Sequence, residues 1–190
     1  IYTIHNSPVI CVNIVLVSTE TGVGNVLKVV QEHQSDRRNV VIKITSEISI
    51  PDEPHIDAIL EFQQGSKPYP ELKRFLRLYK ENVEKRSLLC YDFRDFFMLI
   101  RGRNVISIVS YEYRENITEA LDQLKSVKTH EGVRYLLYFS VDKCDNDEIG
   151  NRQASIRDFM DAFPCENITY WNIGESSSQI VALFASIPIE

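Results

Sequence analysis

The chain has no excess of positive charge: 21 Lys and Arg stand against 27 Asp and Glu, a formal net charge of −6. It has no dense basic run and no basic–aromatic stripe, so nucleic acid is not expected as a partner. Long apolar runs are missing too, and no segment approaches the ~20 residues of a membrane-spanning helix. There is no signal-peptide pattern. These absences predict an intracellular, cytoplasmic protein with no integral membrane segment. Cys11, Cys90, Cys144 and Cys165 are widely spaced with no C-x-x-C pair, which predicts reduced thiols rather than a disulfide framework. His5, His33, His55 and His130 supply no close ligand pairs, so no metal site is expected. Asn116-Ile117-Thr118 and Asn167-Ile168-Thr169 match the glycosylation sequon, and the reduced-cysteine setting predicts both to be chance matches.

What is present is an ordinary globular composition. The 190 residues are 44% hydrophobic and 25% charged, which suits a single domain spanning 1–190. The most informative stretch is Val12–Val30, VNIVLVSTETGVGNVLKVV. It predicts an apolar strand, a polar turn with two glycines, and an amphipathic helix. That order of elements can seat a nucleotide phosphate on backbone N–H groups at a helix N-terminus. The residues depart from the phosphate-loop pattern G-x-x-x-x-G-K-[ST]. Thr19 stands at the first Gly, Gly24 at the second, Asn25 at the Lys and Val26 at the Ser or Thr. The ammonium for the β/γ-phosphates and the hydroxyl for Mg²⁺ are therefore both missing, and Glu20 in the same turn would repel phosphate.

Further along, Asn39–Ile50 reads as a strand, and His55–Phe62 as either a strand or a helical turn. Pro70–Arg86 reads as a helix with Leu72, Phe75, Leu76, Tyr79 and Val83 on one face. Ser87–Phe93 predicts a strand and Arg94–Ile100 an apolar core segment. Asn104–Tyr111 and Val133–Val141 predict buried strands, with a helical pattern from Ile117 to Val127 between them. A helix over 151–163, a sixth strand over Glu166–Ile173 and a last helix over Ser177–Ser186 complete the pattern. Such alternation predicts a three-layer α/β fold, with a mainly parallel six-stranded sheet and helices on both faces. Val12–Val17, Asn104–Tyr111 and Val133–Phe139 are expected inside the sheet. Ligands bind beyond the carboxyl ends of strands in such sheets.

The order of turns resembles the G domain of Ras-superfamily small GTPases, with its phosphate-loop topology. Asp92-Phe93-Arg94-Asp95 stands where that family has D-x-x-G, keeping the acid that serves Mg²⁺ and losing the glycine. Phe96 takes the place of the water-positioning Gln. Asp142-Lys143-Cys144-Asp145 resembles the guanine-reading N-K-x-D, in which Asp145 would accept from the base and Lys143 would lie across it. The degenerate motifs make the chain similar to pseudo-GTPases. The stretch Asn104–Phe163 resembles the alpha- and gamma-adaptin-binding protein family, and the first third is similar to centromere protein M. Residues 51–86 look like an insertion.

The function this resemblance implies is a non-catalytic interaction module without a cofactor, acting as an adaptor or assembly factor in membrane trafficking. One alternative is a divergent switch binding GTP or GDP with Mg²⁺; another is a kinetochore-type structural protein. A different α/β enzyme built on Asp92, Asp95 and Asp142 lacks any supporting nucleophile–base pair. Any nucleotide would meet Thr19, Gly22, Gly24, Asn25, Asp92, Lys143 and Asp145. A protein partner, acidic in character, would meet Lys73, Arg74, Arg77 and Lys80 on the Pro70–Arg86 helix.

Overall fold

A computed structural model describes residues 2–5, 11–32, 37–45, 47–84, 93–114, 116–141, 146–163, 169–176 and 179–189. The strands are β1 Tyr2–His5, β2 Cys11–Val17, β3 Arg37–Lys43, β4 Ala58–Phe62, β5 Gly102–Glu112, β6 Arg134–Val141, β7 Thr169–Glu175 and β8 Ile180–Pro188. The helices are α1 Glu20–Glu32, α2 Pro68–Tyr79, α3 Phe93–Ile100, α4 Ile117–Lys125 and α5 Asn146–Ala162. The hydrogen-bonded strand order is β1-β2-β3-β4-β5-β8-β6-β7. Neighbours from β2 to β5 are parallel, as are β6 and β7, while β1 is antiparallel to β2. The mainly parallel α/β fold expected from the sequence is present, with eight strands where six are expected. None of the three strands expected inside the sheet lies at its edge.

The chain divides into two compact units, one formed by Ile1–Lys73, Ile100–Ser107 and Ser186–Glu190, the other by Arg74–Leu99 and Ile108–Ala185. In the first unit, α1 lays Val23, Val26 and Val30 against Val15 and Val17 of β2, Val41 of β3 and Ile59 of β4. These residues recur at i, i+3 and i+7 on the helix and at every second position on the strands, so each element turns one apolar face inward. At the amino ends of the strands, a buried Asn pair stands in register. The Asn13 amide donates to the Asn39 side-chain oxygen at 3.0 Å, and the Asn39 amide donates to the His55 carbonyl at 3.0 Å. The Asp57 carboxylate accepts from the Asn39 N–H and from Arg38, both at 2.8 Å. This polar fastening satisfies groups that would otherwise be costly to bury, and it leaves the carboxyl ends of the strands to function.

In the second unit, helices cover both faces of the sheet. Val181 and Leu183 of β8 pack with Leu121 and Leu124 of α4 and Phe159 of α5. Phe184, pointing the other way, meets Phe75 of α2 and Phe96 of α3 at ring-centroid distances of 6.2 and 5.8 Å.

Three elements differ from expectation. Ser177–Ser186, expected as a helix, contributes β8. Ile180–Phe184 are all buried, and a short continuous apolar run covered on both faces is indistinguishable from a buried helix by period. The Tyr113 N–H bonds to the Gln179 carbonyl, and the Ile189 N–H to the Arg103 carbonyl, so β8 runs antiparallel to β5. Residues 51–86, expected as an insertion, carry β4, which pairs with β3 on one side and β5 on the other. Beyond Tyr79, the predicted helix widens into a π-turn, Lys80–Glu84. The expected strand at Ser87–Phe93 falls mainly outside the described residues. Asn116, one of the sequon residues, caps α4 by accepting from the Thr118 N–H at 2.9 Å.

Candidate functional site

The site is built where β2, β3 and β4 end. β2 stops at Val17, and after two intervening residues α1 begins at Glu20. Gly22 and Gly24 therefore lie inside the helix rather than in the glycine turn the sequence suggests, and neither has a positive φ. Thr19 caps the helix, its hydroxyl and its carbonyl accepting from the Gly22 N–H at 3.1 and 3.0 Å. Such a cap satisfies one of the N–H groups left over at a helix start. The N–H groups of Glu20 and Thr21 still lack a partner within the helix itself. Thr19, Gly24 and Asn25 are exposed and Gly22 is partly so.

The two glycines differ in what surrounds them. A Cβ on Gly22 would stand 3.3 Å from the Thr19 hydroxyl and 3.6 Å from a Val17 methyl, whereas a Cβ on Gly24 would meet nothing within 4 Å. Packing accounts for Gly22. It does not account for Gly24, which costs helix stability.

Across the sheet from Val17 stand Lys43 and then Glu61, each directly in register with the last. The Lys43 ammonium donates to the Glu61 carboxylate at 2.6 Å, with only 8% of the lysine side chain exposed. Together with Thr45, Gln63, Gln64 and Ser66, this pair lines a cavity of about 290 Å³. The Ser66 hydroxyl is shielded from solvent and has no hydrogen-bond partner among the described residues. The sequence reading passed over Lys43 and Glu61. A signal was there: each is a lone charge at an inward position of an otherwise apolar run, NVVIKI and AILEF.

A second polar centre lies in the other unit. The π-turn places Glu81 and Asn82 in the interior. Tyr138 of β6 donates to the Glu81 carboxylate at 2.9 Å, Ser176 donates to its other oxygen at 3.3 Å, and the Asn172 amide donates to Asn82 at 2.7 Å. Burial, reinforced by the neighbouring Glu81 charge and hydrogen bond, pushes the Tyr138 phenol well above its ordinary value, so it is held neutral. This arrangement fastens the turn to β6 and β7.

The remaining expected residues are scattered. Asp92, Lys143 and Asp145 lie outside the described residues, while Asp95 falls in the first turn of α3. Lys73, Arg74 and Lys80 are exposed, and Arg77 pairs with Glu112 at 2.8 Å. Among the described residues, no group of three or more His, Cys, Asp or Glu could hold a metal ion. No helix among them is long and apolar enough to cross a membrane.

No family model and no curated protein matches this sequence. Solved structures do. CetZ1 from Haloferax volcanii, a GDP-bound monomer, matches with a TM-score of 0.57 and 12% identity over 93% of this chain and 64% of that one. CetZ2 from Haloferax volcanii, a GTPγS-bound protofilament, matches at 0.56 and 11% over 94% and 65%. TubZ from Bacillus thuringiensis serovar israelensis, in GDP-form protofilaments, matches at 0.52 and 10% over 93% and 60%. The likeness is one of fold. The chain spans between 60% and 65% of the length of these structures.

These neighbours, of the tubulin/FtsZ type, correct the resemblance to Ras-superfamily G domains. Nothing supports the adaptin-binding or centromere protein M families. The resemblance rested on alternating strands and helices, which several nucleotide folds share, and on short degenerate motifs. Its last helix is β8, and Asp95 of its D-x-x-G position is helical. The trafficking-adaptor and kinetochore readings fall with it, since neighbours such as CetZ2 and TubZ are solved as protofilaments. The expectation of no cofactor is likewise set against neighbours solved with GDP and GTPγS.

Proposed function

We infer that the chain is a guanine-nucleotide-binding module that self-associates, with the phosphates at the carboxyl ends of β2, β3 and β4. Gly24 carries this reading. A glycine in an exposed helical turn, free of any packing demand, is what close approach of a ligand to the backbone requires. The cavity at the carboxyl ends of β3 and β4 suits the phosphate portion of a nucleotide, being near the lower end of ligand-pocket sizes. The orphaned Ser66 hydroxyl fits the same role, as buried polar atoms ordinarily have a partner. A nucleotide would be held by the N–H groups of Glu20 and Thr21 at the start of α1, with Glu20 working against phosphate charge. Guanine as the base and assembly come to this reading from the neighbours, solved with GDP or GTPγS and as protofilaments.

Self-association is the part most open to direct test. Lys73, Arg74 and Arg77 of α2 and Lys80 just beyond it are basic in a chain whose net charge is −6, and a second copy, net acidic, would be attracted to them. Sedimentation velocity with GTPγS, with GDP and without nucleotide tests this. Larger species should form with nucleotide and shrink in high salt. A single monomeric boundary under all three conditions would overturn self-association.

A further inference from the structure

The residues between β2 and α1 carry no cation, and the neighbouring strand carries a buried one, Lys43. We propose that Lys43 is the phosphate-binding cation of this chain, kept against Glu61 until a ligand phosphate displaces the carboxylate. This rests on the nucleotide reading above and names a residue for that site.

The placement follows from register. Val15, Val17, Val41 and Ile59 face α1, and side chains two apart on a strand share a face. Lys43 follows Val41, and Glu61 follows Ile59, at that spacing. Both therefore stand on the α1 side of the sheet, one position closer to its carboxyl edge. The first turn of α1 lies over Val17, since a Cβ on Gly22 would come within 3.6 Å of its methyl. Val17 and Lys43 are directly paired, so their strands are ~4.8 Å apart. An extended lysine side chain spans that separation readily.

The energetics favour a working role over a structural one. Taking an ammonium to 8% exposure incurs a desolvation penalty that a single carboxylate partner does little more than offset, and apolar residues at the two positions would serve packing as well or better. The pair also borders a cavity whose lining includes Ser66, and the buried Ser66 hydroxyl has no partner among the described residues. An incoming phosphate would give Lys43 a more highly charged acceptor. Glu61 would then be released toward the cavity, where Thr45, Gln63 and Gln64 line the wall.

The test uses calorimetric titration of the whole chain with GDP and with inorganic pyrophosphate, in the wild type, Lys43→Met and Glu61→Gln. Lys43→Met should weaken both ligands by about tenfold or more, the effect of losing a charge-assisted hydrogen bond. Glu61→Gln, which frees the ammonium from its competing carboxylate, should tighten both by several-fold. A merely structural pair would weaken binding in both variants, and that outcome overturns the proposal. Unchanged binding in both also overturns it while leaving the nucleotide reading intact. Failure of the wild type to bind either ligand overturns the two together. Should Lys43→Met not fold, Glu61→Gln decides alone: tighter binding supports the proposal, and equal or weaker binding defeats it.

Discussion

In the first turns of α1, Gly24 stands exposed in helical backbone with open space where a Cβ would be. Gly24→Ala should therefore stabilise the protein by about 0.5–1 kcal/mol, raising the thermal midpoint by roughly 1–4 °C. The same change should weaken GDP binding, and a substitution that gains stability while losing affinity is a signature of a functional glycine. Unchanged affinity by titration would make Gly24 an incidental helix residue. Much of this was legible in the chain: VNIVLVSTETGVGN announces a strand, a cap and a helix. The sequence could not show that Thr19 caps the helix tightly enough to draw both glycines into it, because a turn and a first helical turn share their residue preferences.

The π-turn after α2 is held by buried polar contacts rather than by apolar packing. Tyr138→Phe removes the phenol that donates to Glu81 and should cost about 1–3 kcal/mol, measured by denaturant unfolding. It also carries a pH signature. The folded-state value of Tyr138 is raised above its ordinary 10.0. Its contribution to stability is thus complete below pH 10 and is lost as pH climbs toward the folded value, because the unfolded chain ionises first. The wild type should lose stability above about pH 10 more steeply than Tyr138→Phe; parallel profiles would contradict the assignment. Gly174 on β7 belongs to the same contact, since a Cβ there would stand 2.8 Å from the Tyr138 oxygen. Gly174→Ala should destabilise by about 1–3 kcal/mol, and less so when Tyr138→Phe has already removed that oxygen. None of this was visible beforehand. KENVE reads as ordinary helix, and burial of Glu81 and Asn82 depends on residues 57 and 90 positions away. By contrast, NVISIVSY and VRYLLYF declared β5 and β6 by composition alone, whereas Ile180–Phe184 misled because strand and buried helix look alike over so short an apolar run.

Across the whole chain, alternation of strands and helices gave the α/β class, the parallel strands and helices on both sides of the sheet. Which α/β fold this was could not be read, because it rests on strand order and on β8 returning between β5 and β6, and no local motif encodes that. The short motifs pointed to the wrong relatives for the same reason: D-K-C-D after a strand is a common solvated turn. Charge distribution is a property of the molecule as a whole, and reversing Lys73 and Lys80 to Glu should reduce nucleotide-driven assembly while changing stability by no more than about 0.5 kcal/mol. Assembly that survives the reversal would remove α2 from the contact. The most direct measurement is equilibrium binding of a fluorescent GDP analogue to the wild type and to Gly24→Leu, with thermal midpoints taken in parallel. The expected result is saturable binding to the wild type, displaced by unlabelled GDP, and its loss in Gly24→Leu at an undiminished midpoint. Absence of saturable binding, or equal binding to both proteins, would contradict a nucleotide site at the start of α1.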